Sequence, residues 1–194
     1  MPRIEPLARE DLEEFEAGFA MVEQTMGFVP NSMFTMARVP GLLKGFQAMA
    51  GAALFNDLIP NDLKQMIALA SSAASGCRYC QAHTGHSAER MGVPEAKLAA
   101  IWEFETSDQF SEAERVALRL AFHAGQVPNQ TTDDDFAAVR AHWSDDQAAA
   151  IVAVIAAFGY LNRWNDTMAT SLESSPAAFG ERVLGTNGWE RGNH

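Results

Sequence analysis

Three features of this sequence predict an all-α fold. Ala, Leu, Met, Glu and Gln, all good helix formers, dominate it. Strand-like period-two alternation is nearly absent, and no Asn-Gly turn joins β-branched runs (the one Asn-Gly, at Asn187, lies near the C-terminus). Ser, Thr, Asp and Asn recur just ahead of apolar stretches, where helices start.

The elements follow in order. "REDLEEFEAGF" puts Leu12, Phe15 and Phe19 on one face of a first helix, from about Ala8 to Met26, which "GFVPNS" breaks. Asn31 or Ser32 caps "MFTMARV", and Pro40 separates it from a helix over about Gly41 to Phe55. Asn61 or Asp62 caps an apolar helix over Leu63 to Ala74, "SG" interrupts it, and a new helix runs to about Met91. "GVPEAKLAAIW" reads as a glycine stop, a proline at the first helical position and a further helix. Ser111 with Glu114 forms a capping box ahead of a helix to about Ala124. "TTDDDFAAVRAHW" and "SDDQAAAIVAVIAAFGYLNRWNDTMAT" are two more capped helices.

Residues 1–174 are expected to form one all-helical domain, with a cysteine-bearing core at about 62–124, and 175–194 a loosely ordered tail. Asp62–Thr84 faintly echoes Asp145–Thr167, a possible degenerate repeat of capped apolar helix, glycine break and polar helix. Tyr160 and Arg163 would then stand where Cys77 and Cys80 do.

At 194 residues and 47% hydrophobic, the chain can bury a real core. Its net charge of −11 repels phosphate backbones and anionic lipid, which argues against nucleic acid and membrane surfaces as partners. The N-terminal "MPRIEPLAREDLEEFEAGFA" lacks the apolar segment of a signal peptide. The longest apolar run, Ala148 to Leu161, is too short to span a bilayer and reads as a buried helix. A cytoplasmic protein is expected, and there a lone cysteine pair is more often catalytic or metal-binding than a staple.

"SGCRYCQAHTGHSAERMGV", Ser75 to Val93, holds both cysteines and two of the five histidines. Two cysteines placed at random would fall three apart in roughly one chain in a hundred of this length. Residues i and i+3 share a helix face, so the sulfurs of Cys77 and Cys80 can meet. A first-turn position offers free N–H groups and the positive dipole end, which favour thiolate, and Arg78 adds a cation. His83, three past Cys80, is in register to take its proton directly or through water, whereas His86 falls around the helix. A redox pair, a metal site and small-residue packing all compete for the motif. Against zinc, consecutive turns of one helix cannot wrap Cys77, Cys80, His83 and His86 around an ion.

The stretch Ala68–Val93 ("ALASSAASGCRYCQAHTGHSAERMGV") resembles the AhpD-like alkylhydroperoxidases, the peroxidase-related branch of the carboxymuconolactone decarboxylase superfamily. Met26–Phe46 and Ala156–Ala169 support the resemblance. It implies a helical hairpin carrying the cysteine pair and a homo-oligomer, trimeric or hexameric. The implied activity is reduction of peroxides with electrons from an external dithiol or thiol-reducing protein, with no cofactor and no metal. Cys80 would attack peroxide and Cys77 would resolve. In the family the relay histidine lies four past the second cysteine, where Thr84 stands here with His83 one earlier. Its glutamate lies twelve before the first cysteine, where Gln65 stands, so either Gln65 orients a water, or another acid such as Glu114 serves, or the peroxidase rate is poor. The alternatives are a redox-sensing helical oligomer and a decarboxylase of the same superfamily.

Overall fold

The computed structural model describes residues 2–192. Among these are ten α-helices and no strand: α1 (Glu16–Met26), α2 (Asn31–Met36), α3 (Leu42–Leu54), α4 (Asn61–Ala74), α5 (Arg78–Arg90), α6 (Glu95–Ala99), α7 (Glu112–Gly125), α8 (Asp133–Arg140), α9 (Asp145–Met168) and α10 (Ser174–Phe179). The expected all-α fold is thus observed. None of these helices is long and apolar enough to cross a membrane.

Helix α4 is the axis of the fold and packs on α5, α7 and α9. Met66, Ile67 and Leu69 of α4, Leu118 of α7 and Ile151 of α9 meet in the larger apolar cluster. A smaller cluster forms under the N-terminal helices from Leu12, Phe19, Met33, Met36, Leu43 and Phe46. Leu161 of α9 packs against both clusters, so the N-terminal layer sits on the α4–α5–α9 core.

The turn between α4 and α5 places the cysteines. Gly76 is left-handed (φ 77°), a conformation open to glycine at little penalty. Its N–H donates to Ala73 O, and the Cys77 N–H donates to Ser72 O at 3.0 Å, the paired bonds of a Schellman closure. Cys77 is then extended and becomes the N-cap of α5, its Sγ accepting the Cys80 N–H at 3.4 Å. The thiol therefore does the work of a capping hydroxyl.

Capping boxes start α7 (Ser111/Glu114), α8 (Thr132/Asp135) and α9 (Ser144/Gln147). Other expectations are corrected. The first helix begins at Glu16; residues 9–11 and 13–15 form two 3-10 turns, with Leu12 turned into the core between them. Pro60, not Asn61 or Asp62, precedes α4, and Asn61 Oδ1 instead accepts from the buried Lys64 ammonium. Pro94 sits one position earlier than expected, at the N-cap of α6. Gly159 lies inside the unbroken α9, so the second half of the proposed repeat lacks the break that defines the first. Residues 175–192 of the expected tail are not loose, and 193–194 lie outside the described residues. The segment forms α10 and two tight helical turns, and buries Phe179, Val183, Leu184 and Trp189 against the α5 side of the core. Its four glycines hide this pattern from a helical-periodicity reading.

Gly125, at the end of α7, sets the approach of α7 to α4. A Cβ there would lie 2.5 Å from Ser71 O and 3.0 Å from Ala74 Cβ. Ala in place of helical Gly gains about 0.8–1 kcal/mol in propensity, but overpacking against backbone costs about 1–3 kcal/mol. Gly125→Ala is therefore expected to lower the urea midpoint; an unchanged or raised midpoint would show that the two helices separate freely.

Candidate active site

Between the N-terminal layer and the α4–α5–α9 core lies a cavity of about 360 Å³. Its walls are mainly apolar, with Met21 and Val22 from α1, Met33 from α2, Phe46 from α3 and Phe158 from α9. Polar groups reach it from α5 and α9 (Cys80, His83, Thr84 and Asn165) and from α4 (Asn61 and Gln65). Met21 and Phe55, 62% and 68% exposed, stand at its mouth.

The two sulfurs occupy different positions. Cys80 lines the cavity, whereas Cys77 is fully buried and does not. Both are free thiols. Asn165 Nδ2 donates to Cys80 Sγ at 3.5 Å, fixing the sulfur from the α9 side. The interaction with Cys80 and then burial push the Cys77 thiol far up, so Cys77 rests protonated.

His83 meets Glu173 Oε2 through Nε2 at 2.6 Å. Glu173 lies at the N-cap of α10, ninety residues along the chain. Its other oxygen accepts the Asn31 N–H at 2.6 Å and the Tyr79 hydroxyl at 3.0 Å. Burial alone would raise the Glu173 carboxyl; the His83 hydrogen bond and charge, with the Asn31 N–H, outweigh it and hold the carboxyl below its usual range. Burial and the Glu173 charge push the Tyr79 hydroxyl well up, so it stays a donor. Tyr79 stacks on the imidazole at 4.2 Å and Phe28 meets it edge-on at 5.2 Å. With Nε2–H donated to Glu173, the tautomer this pairing assigns, Nδ1 carries the lone pair.

Cys80 and His83 thus share one cavity, as their helical register requires, though among the described residues no direct hydrogen bond joins them. His86 does not line the cavity; it packs between Phe28 and Phe179, and burial lowers its pKa. Thr84 returns its hydroxyl to Cys80 O at 2.8 Å. Gln65 lines the cavity, but Glu114 is spent on Lys97 and its own capping box, so it is not the missing acid. Arg78 points toward the C-terminal segment, donating to Glu190 O at 3.4 Å. Glu173 and Asn165 were not singled out from the sequence. One signal was present: Glu173 is the sole charged residue between Asp166 and Glu181.

Comparison with known proteins agrees with this architecture. Residues 40–122 match the carboxymuconolactone decarboxylase family. The chain is 37% identical to a cysteine-to-alanine variant of the debrominase Bmp8 in complex with 2,3,4-tribromopyrrole, covering 93% of this chain and 97% of that one (TM-score 0.88). It matches the AhpD core of an uncharacterised peroxidase-related protein from Ralstonia eutropha JMP134 in fold (24% identity, 90% and 94% coverage, TM-score 0.80). It is also 28% identical to the uncharacterised protein YdfG of Bacillus subtilis over 53% of this chain and 68% of that protein. With a helical hairpin that carries Cys-x-x-Cys and turns Cys80 into the cavity, the chain has the AhpD-like fold and belongs to the carboxymuconolactone decarboxylase superfamily.

Proposed function

We propose that this protein is a thiol-dependent reductase in which Cys80 attacks a soft electrophilic atom of a small organic substrate and Cys77 resolves the product. One observation carries the reading: Cys80 faces a mainly apolar cavity while Cys77, three residues away, is sealed behind it. Organic hydroperoxides fit such a cavity better than hydrogen peroxide, which has no apolar part to bury.

For a hydroperoxide the steps balance as follows. His83 Nδ1 takes the Cys80 proton, and the sulfur attacks the terminal peroxide oxygen as the O–O bond breaks. The proton passes to the leaving alkoxide, giving an alcohol and a sulfenic acid on Cys80. Cys77–SH then attacks that sulfur, releasing water and forming the Cys77–Cys80 disulfide. An external dithiol reduces it and is itself oxidised to a disulfide.

Debromination is a second reading, favoured by the likeness to Bmp8 across nearly the whole of both chains. The same groups suffice. The Cys80 proton reaches the ring carbon through His83 and the sulfur takes the bromine; Cys77–SH then attacks that sulfur, releasing bromide and a proton and forming the same disulfide.

Steady-state turnover with excess dithiothreitol tests both readings, using cumene hydroperoxide in one arm and 2,3,4-tribromopyrrole in the other. Sustained alcohol formation supports the peroxidase, and sustained bromide release the debrominase. Turnover of neither, with free thiols intact, would contradict the reductase reading for these substrate classes.

A further inference from the structure

A second cavity, of about 440 Å³, shares Tyr79 as a wall with the cavity at Cys80. Its character is different. Arg3, Arg78 and Arg191 line it together with Thr170, Ser171 and Trp189. Three of the chain's 14 Lys and Arg are gathered there, and none of its 25 Asp and Glu lines it. In a protein of net charge −11, so local a concentration of guanidinium groups requires an explanation.

We propose that this cavity binds a compact anion, the carboxylate or phosphate of a small molecule. Four features support it. Arg78 and Tyr79 open the thirteen-residue α5, so their N–H groups lack intrahelical acceptors and sit at the positive end of the helix. Among the described residues Arg78 is held by one long contact, to Glu190 O at 3.4 Å, leaving most of its five donors for a ligand. Thr170 is only 2% exposed, yet among the described residues its hydroxyl has no hydrogen-bond partner. Ser171 adds a second hydroxyl-bearing residue to the same wall.

Two features oppose an anion, and neither cancels the field. Helix α9 ends at this cavity with its negative pole, but Arg3 caps that end, donating to Asp166 O at 2.9 Å and Thr167 O at 2.7 Å. Glu181 lies 3.6 Å from Arg191, a solvent-exposed pair that a ligand can compete with. Arg78, Arg191 and the α5 terminus therefore remain as the ligand-facing charge. Trp189, whose Nε1 donates to Arg78 O at 3.0 Å, closes one side and limits the site to small ligands.

The test is calorimetric titration of the full chain at constant ionic strength with inorganic phosphate, with succinate, and with neutral succinamide. One or both anions should bind with 1:1 stoichiometry and succinamide should not; which anion binds identifies the ligand class. Arg78→Gln and Arg191→Gln should each weaken binding about tenfold, the effect of losing one charge-assisted contact. Cys80→Ser should bind as the wild type does, which separates this site from the chemistry at the thiol. Absence of anion binding would overturn the proposal, as would anion binding undiminished in both arginine variants.

Discussion

Cys80→Ser is expected to abolish turnover, while Cys77→Ser is expected to react once and stop. The two sulfurs are three residues apart and chemically alike, so only their placement separates them. Cys80 meets the cavity and is fixed by Asn165; Cys77 is buried, protonated and committed to capping α5. A serine hydroxyl at position 80 is not ionised near neutral pH and is a far weaker nucleophile, so peroxide consumption should fall to the uncatalysed rate. In Cys77→Ser the first step survives, because the serine hydroxyl can still cap the helix. The product has no partner and should appear as a sulfenic acid on Cys80, over-oxidised with time to sulfinic acid. Mass spectrometry after one equivalent of substrate distinguishes the cases. Normal reaction in Cys80→Ser with an inert Cys77→Ser would reverse the roles.

Glu173→Gln is expected to slow the first chemical step by about 10²-fold while leaving the fold intact, and His83→Ala by about 10²–10⁴-fold. Glutamine keeps the size of Glu173 and an oxygen acceptor, but not the charge that supports the imidazole as it takes a proton. Glu173→Ala goes further. It strands the Tyr79 hydroxyl and the Asn31 N–H as well as His83, and should destabilise the protein by about 3–5 kcal/mol. That is a large share of a typical domain's 5–15 kcal/mol. The pH dependence has a definite sign. The Glu173 carboxyl sits below its ordinary value in the folded state, so its stabilisation is fully present above about pH 4.3. It is lost as pH falls through the lower, folded-state value. Acid unfolding of Glu173→Gln should accordingly be less steep than that of the wild type. His86→Ala should change the rate little, since His86 packs away from the cavity. A crippled His86→Ala beside an active His83→Ala would mean that the relay runs through the other histidine.

What the sequence disclosed and what it withheld follow from range. Cys77, Cys80 and His83 lie within seven residues on one helix, so spacing alone brings them together. The capping boxes at Ser111, Thr132 and Ser144 are equally local, which is why α7, α8 and α9 begin about where expected. Glu173 is different. It reaches His83 only because α9 returns the chain and α10 then packs on α5, a tertiary event with no local signature. Positions 65 and 114, where the sequence suggests an acid, lie much closer to the cysteines along the chain than Glu173 does. Asn165 was hidden for the same reason, eighty-five residues from the sulfur it touches. Side-chain direction was also beyond local reading: Arg78, adjacent to Cys77, turns toward the C-terminal segment.

The most direct test of the central claim is to follow the thiol pair during turnover. Wild-type protein is mixed with a large excess of dithiothreitol and many equivalents of cumene hydroperoxide or 2,3,4-tribromopyrrole, then quenched and mapped by mass spectrometry. The account predicts many substrate equivalents consumed per chain, with a Cys77–Cys80 disulfide as the trapped intermediate. Consumption that stops after one equivalent, with the disulfide persisting under excess dithiol, would contradict it and mark the pair as a sensor rather than a catalyst.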